Sequence, residues 1–281
     1  MKPIIAVIAP GMMGSGVGQR LAENGADVVT SLAGRGGASA ARAKAAGMRA
    51  VDDAALADAD IILSIVPPGT ALELAERLAP VLRAAARKPL YVDCNAVSPA
   101  TVARIGAVIA ATGASFVDGG IIGGPPKPGA TGTSIYVSGP DAPRAAAMLA
   151  EHGLEMKLLG PAIGEASALK MSYAGITKGF TALGAAMMLA ATRGGSAAAL
   201  HAELADSQKP LFAWLTRHVP GMYPKAYRWV AEMDEISAFA GEDPAAGALF
   251  KAAAQFYQRI AADVDGEGRE TADLTAFCGR A

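Results

Sequence analysis

The stretch "IAPGMMGSGVGQRLAENGADVVTSLAGR", Ile8 to Arg35, decides the fold. It leaves a short apolar run, "PIIAVIA" (Pro3–Ala9), by a glycine-rich turn, enters a helical pattern that stops at Gly25, and opens a second β-branched run, "ADVVTSL" (Ala26–Leu32). Ala9, Gly11 and Gly14 take the places of a G-x-G-x-x-G fingerprint, inside the strand-turn-helix-strand frame that such a fingerprint requires. Each place has a steric task. The second glycine lets the backbone approach a pyrophosphate, the third lets helix and strand pack closely, and the first serves a turn that a small alanine can also make. Backbone N–H groups of Gly11, Met12, Met13 and Gly14 are then expected to face phosphates at the positive end of the helix.

The end of the second run narrows the ligand. An acidic residue there accepts from the ribose 2′-hydroxyl of NAD and repels the 2′-phosphate of NADP. Here the run ends Thr30, Ser31, Leu32, Ala33, Gly34, Arg35, without a carboxylate. The hydroxyl of Ser31 and the guanidinium of Arg35 are phosphate donors, so NADP(H) is expected ahead of NAD(H).

Outward from this stretch, the first half alternates strand-like runs with alanine-rich helical stretches. Further strands are read at Asp60–Val66, Pro89–Asn95, Ser115–Gly120, Thr133–Gly139 and Glu155–Gly160, with helical stretches at 16–25, 38–47, 70–87 and 98–113. This predicts an α/β Rossmann-type doubly wound sheet over residues 1–160. Beyond Pro161 the β-branched runs stop, and an all-α C-terminal domain is expected over 161–281, with helical segments at 164–193, 196–219, 227–241 and 244–263. The first of these is apolar nearly all round and would extend about 40 Å, so it is expected inside a helical core or a subunit interface, hence a homodimer. Its apolar residues are interrupted by charge too often for a membrane span to be expected.

Composition limits the partners. In 281 residues, 25 Lys and Arg nearly balance 26 Asp and Glu, which gives no footprint for nucleic acid or a membrane surface and leaves a small-molecule substrate as the expected partner. Cys94 and Cys278 lack the spacing of a disulfide framework or zinc site, and His152, His201 and His218 form no ligand pattern, so no metal is expected. Two isolated cysteines fit a reducing cytoplasm. The opening apolar run is too brief for a signal peptide and reads as a strand.

On the long helix, Lys170, Tyr173, Thr177 and Thr181 fall at i, i+3, i+7 and i+11, a polar stripe on an apolar cylinder. A lysine there is expected to lose water, which lowers its pKa and suits it to exchange a proton with an alcohol oxygen while hydride moves to or from a nicotinamide. Lys178, one residue off the stripe, reads equally as an anion partner or a solvated side chain. Glu232 and Glu235, beside the apolar face of Trp229, Met233, Ile236 and Ala240, read as surface charges.

Together, "IAPGMMGSGVG", "ADIILSIVPP", "DGGIIGGPPKPGATG" and "GEASALKMSYAGITKG" resemble, in order and spacing, the beta-hydroxyacid dehydrogenase family, which shares its NADP-binding domain with 6-phosphogluconate dehydrogenase. "RWVAEMDEISAFAG" and "FYQRIA" are similar to a subgroup whose C-terminal helical domain has no assigned function. The resemblance spans essentially the whole chain. It implies Lys170 as general acid-base, nicotinamide-lining loops at Ser64, Val66, Pro67 and Asn95, and a substrate loop at Ile122, Gly123 and Gly124, joined by Tyr173, Ala174, Thr177 and Lys178. The family usually carries serine where Ile122 stands and asparagine where Ala174 stands, so a more apolar substrate pocket is expected. The activity implied is an NADP(H)-dependent oxidoreductase on a small hydroxy acid or keto compound. An imine reductase is the alternative within enzymes, against which the retained Lys170 counts, and a non-catalytic NADP(H)-binding regulatory protein is the alternative outside them.

Overall fold

The computed structural model describes residues 2–127 and 132–279. Its strands are β1 (Ile4–Ile8), β2 (Asp27–Ser31), β3 (Arg49–Val51), β4 (Ile61–Ser64), β5 (Leu90–Asp93), β6 (Phe116–Ile122), β7 (Ser134–Ser138) and β8 (Glu155–Leu158). Among the described residues they form one sheet in the order β3-β2-β1-β4-β5-β6-β7-β8. Every neighbouring pair is parallel except β6 with β7. The first six strands thus follow the doubly wound order, and their carboxyl ends share one edge.

Period-2 alternation builds the two faces. Ile5 and Val7 of β1 point into one core with Val17 and Leu21 of α1 (Met12–Glu23), whereas Ala6 and Ile8 point into the other with Leu74 and Leu78 of α3 (Ala71–Ala84) and Val102 and Ile105 of α4 (Pro99–Ala110). A fully buried aliphatic side chain contributes about 1.5–3 kcal/mol, so these layers dominate the domain's stability. α2 (Gly37–Ala45) and α5 (Ala142–Glu151) complete the helices between strands.

The structure adds elements to the sequence reading. Strand β3 is three residues long with Arg49 and Ala50 exposed, so it carries no buried alternation to read. Helix α5 occupies the connection between β7 and β8, where no helix was expected; its buried Ala142, Ala145, Ala146 and Leu149 fall on one face.

The chain divides into two compact units, Met1–Met171 and Ser172–Ala281, and the division falls inside α6 (Glu165–Arg193). The strands stop at Leu158, which is why the sequence alone suggests a boundary near Gly160. Within the second unit, Gly175 and Gly184 of α6 give room to neighbours: a Cβ at Gly175 would lie 3.2 Å from Phe250, and one at Gly184 would collide with Leu215. The segment read as one helix over 196–219 is two, α7 (Ala197–Ser207) and α8 (Lys209–Met222), separated at Gln208 just ahead of Pro210, whose fixed φ and missing N–H suit a first helical turn. After α9 (Ala226–Phe239) and α10 (Pro244–Asp265) comes α11 (Arg269–Cys278), a short helix anchored by Leu274 and Phe277 that was not expected.

α6 is not enclosed all round. Ile176, Leu183 and Met187 are 63%, 59% and 56% exposed and lie with Tyr173 and Phe180 along one side, while Ala174, Ala185, Met188 and Leu189 are buried. By length and composition this helix alone among the described residues is apolar enough to cross a membrane, a test that the core helix of a folded unit also passes. Its buried face is that of a core helix in a folded unit.

Candidate functional site

The glycine turn behaves as its positions require. Gly11 caps α1 with extended backbone, and a Cβ there would meet nothing within 4 Å, but its N–H donates to the Ala9 carbonyl at 2.8 Å, which corrects the expectation that this N–H faces a phosphate and leaves Met12, Met13 and Gly14 as the candidate donors. At Gly14 a Cβ would collide with the carbonyl oxygen of Ala9, so only glycine lets α1 sit this close to β1. Among the described residues the first turn of α1 holds no acidic side chain, and the N–H groups at its start lie at the positive helix end. These features fit a dinucleotide pyrophosphate. Met12 is exposed and Met13 packs on the core. Arg42 of α2 was missed in the sequence: its Nε donates to the Pro10 carbonyl at 3.0 Å and holds the turn from outside.

At the end of β2, Ser31 is 2% exposed. Its hydroxyl donates to Oδ1 of Asp53 at 2.7 Å and accepts from the Ala33 N–H at 3.3 Å. Arg35 is exposed, on the turn that Gly34 makes with φ +69°.

A buried network fixes the loops after β4 and β5. The Asn95 amide donates to Ser64 Oγ and to Asp93 Oδ2, both at 2.8 Å, and its carbonyl oxygen accepts from the Val66 N–H at 2.6 Å. Asn95 and Ser64 therefore knit the two loops together, while Pro67 at the tip is exposed. Burial pushes the Asp93 carboxyl up to about 7, against the pull of its hydrogen bonds from Asn95, and the nearby Asp118 carboxylate adds to the rise.

Strand β6 holds Lys170. Its nitrogen donates to the Ile121 carbonyl at 2.7 Å, and the side chain is half-buried. Three residues earlier on the same strand, the fully buried Asp118 accepts from the Gly164 and Ser167 N–H groups at 2.9 and 3.0 Å and from the Ser167 hydroxyl at 2.6 Å. The Ser138 hydroxyl donates to it as well, at 3.0 Å. A carboxylate satisfying the donors at a helix start both caps the helix and offsets its dipole. β6 thus grips α6 at its first turn and again at Lys170. A Cβ on Gly120 would stand 2.9 Å from the Ala166 carbonyl, so glycine is what admits the helix. Asp118 gave no signal in sequence, because its partners lie 20 to 49 residues away.

Ile122 is half-buried, and Gly123, with φ +120°, makes a turn in which a Cβ would collide with the Gly132 carbonyl oxygen. Gly124 is exposed, and residues 128–131 of the same motif lie outside the described residues.

The second unit holds its own cluster. Lys178 pairs with Glu232 of α9, its nitrogen lies 5.0 Å from the centre of the Trp229 ring, and its carbonyl accepts from the Tyr257 hydroxyl at 2.6 Å. Burial lowers the Lys178 pKa, with Glu232 opposing the shift. Glu232 is 9% exposed, which corrects its reading as a surface charge. Tyr173 is exposed, Thr177 half-buried and Ala174 buried. Among the described residues no group of three or more His, Cys, Asp or Glu is placed to hold a metal.

Residues 4–159 match the family described as the NAD binding domain of 6-phosphogluconate dehydrogenase, and residues 191–260 match DUF1932, a domain of unknown function. No curated protein matches. A conserved hypothetical protein from Sinorhizobium meliloti 1021 is 26% identical, with TM-score 0.69, over 99% of this chain and 97% of that one. The 3-hydroxyisobutyrate dehydrogenase of Mycobacterium tuberculosis, solved with L-serine, is 21% identical, with TM-score 0.68, over 99% of this chain and 98% of that one. An imine reductase from Myxococcus stipitatus in complex with NADP+ is 19% identical, with TM-score 0.55, over 98% and 99%. The last two are likenesses of fold.

Proposed function

The chain belongs to the family of the NAD binding domain of 6-phosphogluconate dehydrogenase, and from that premise we propose that it is an NADP(H)-dependent oxidoreductase acting on a small hydroxy acid or keto compound, with Lys170 carrying the proton. The observation that supports this most is the double grip of β6 on α6. It stations the Lys170 nitrogen against Ile121, near the carboxyl end of a strand in the first unit. The glycine turn, Ser31, Ser64 and Asn95 follow or end strands at that same edge, where ligands of open α/β sheets bind.

A bound nicotinamide supplies the hydride acceptor or donor. The protein's part is the proton. In oxidation, Lys170 as the amine takes the hydroxyl proton as hydride leaves the carbinol carbon; in reduction, Lys170 as the ammonium returns it to the carbonyl oxygen. An ammonium carries three donors, and the one given to Ile121 fixes where the nitrogen stands. The N–H groups of Met12 to Gly14 would hold the pyrophosphate, with Gly11 leaving room beside it, and the exposed Arg35 would hold the 2′-phosphate. The half-buried Ile122, where the resembling family carries serine, favours substrates with a larger hydrocarbon part.

We place the working molecule in the cytoplasm, where the free thiols of Cys94 and Cys278 would stay reduced, and as a homodimer that covers the exposed side of α6. The test is a panel of hydroxy acids, keto acids and imines followed by nicotinamide absorbance with NADPH, NADP+, NADH and NAD+. Turnover of a hydroxy acid and keto acid pair is expected. Turnover of imines alone would move the reading to an imine reductase, and tight binding with no turnover of any compound would move it to a regulatory protein.

A further inference from the structure

Asp53 supplies the carboxylate that the end of β2 lacks. We propose that Asp53, by accepting the hydrogen bond of the Ser31 hydroxyl, is a specificity-determining residue that restrains the preference for NADPH over NADH; this rests on reading the ends of β2 and β3 as the ribose end of the dinucleotide site. The two strands run parallel with Ser31 opposite Val51, so the chain leaving β3 brings Asp53 alongside the last residue of β2. A serine hydroxyl has one proton. Here that proton goes to Asp53 Oδ1 at 2.7 Å, while the oxygen accepts from Ala33. Ser31 therefore has no proton to give a phosphate while the bond stands, and an alcohol-carboxylate bond is among the stronger kinds.

The charge of Asp53 acts in the same sense. Its Oδ2 lies 3.5 Å from the Arg77 Nε, but the two side chains are 25% and 36% exposed. Arg77 offsets part of the carboxylate's charge and solvent screens more of it, so the bond to Ser31 carries more of the effect than the field does. A carboxylate near the ribose accepts from a 2′-hydroxyl and repels a 2′-phosphate. Arg35, on the turn after β2, pulls the other way. The two residues oppose one another, and Asp53 lies 22 residues from Ser31 in sequence, which hides it from a search of the β2 end.

Direct fluorescence titration of the purified full chain with NADPH and NADH tests this without any substrate. Asp53→Asn keeps the shape and removes the charge; Asp53→Ala also removes the acceptor and frees the Ser31 proton. NADPH affinity should rise on the order of tenfold in Asp53→Ala, and by less in Asp53→Asn, with NADH binding unchanged or weaker. Adding Ser31→Ala to Asp53→Ala should erase part of that gain. Loss of affinity for both cofactors in parallel, or an NADPH-to-NADH ratio within about twofold of the parent in Asp53→Ala, would overturn the proposal. The outcome separates from that of the parent reading, since a native chain that binds neither cofactor defeats the site itself, whereas a native chain that binds both with a ratio indifferent to residue 53 defeats only the role of Asp53.

Discussion

Asp93 is a buried acid whose proton couples stability to pH. Its folded-state pKa is raised from 3.8 to about 7, chiefly by burial. Between those values the folded protein holds a proton that the unfolded chain releases, so this contribution is complete below about pH 4, declines as the pH rises, and is gone above about pH 7. Thermal midpoints measured from about pH 5 to about pH 8 should fall more steeply in the native chain than in Asp93→Asn; equal slopes would remove Asp93 as the source. At this scale the sequence shows some site residues and hides others. Gly11, Gly14 and Lys170 are legible because a fingerprint and a polar stripe act over short spacings. Asp53, Asp118 and Arg42 are not, since each acts on a partner brought near only by the fold, Asp118 on Ser167 across 49 residues and Arg42 on Pro10 across 32.

Between elements, the ion pair of Lys178 on α6 with Glu232 on α9 is a buried polar tie of the helical unit, set among Trp229 and Tyr257. Removing one partner strands a buried charge, whereas removing both leaves apolar volume that can pack. Lys178→Met or Glu232→Gln alone should therefore lose about 3–5 kcal/mol in urea unfolding, and the double variant Lys178→Met/Glu232→Leu distinctly less. A double variant as unstable as the worse single one would show that the pair is not the tie. Elements were legible in proportion to their buried face. The buried apolar runs of β1, β4 and β5 could be read directly. β3, with two of its three residues exposed, could not, nor could α11, which rests on two buried side chains. Gln208 divides a continuous alanine-rich run because Pro210 is better placed at a helix start than in an interior.

For the whole molecule, the doubly wound sheet followed by a helical unit was legible from the change of hydrophobic period alone, whereas the division inside α6 was not, because a helix that continues through a boundary leaves no mark in composition. The side of α6 bearing Ile176, Leu183 and Met187 is expected to be covered by a second copy, and sedimentation at micromolar concentration should give a dimer that Ile176→Glu/Leu183→Glu converts to monomer. A native monomer would refute the assembly. If Lys170 moves the proton while the remainder of the first unit holds the dinucleotide, binding and chemistry separate. The most direct test compares the native chain with Lys170→Met in NADPH titration and in turnover of the best compound from the substrate panel. NADPH affinity should be unchanged in Lys170→Met and turnover lower by about two to four orders of magnitude; full turnover in Lys170→Met would mean that another group moves the proton.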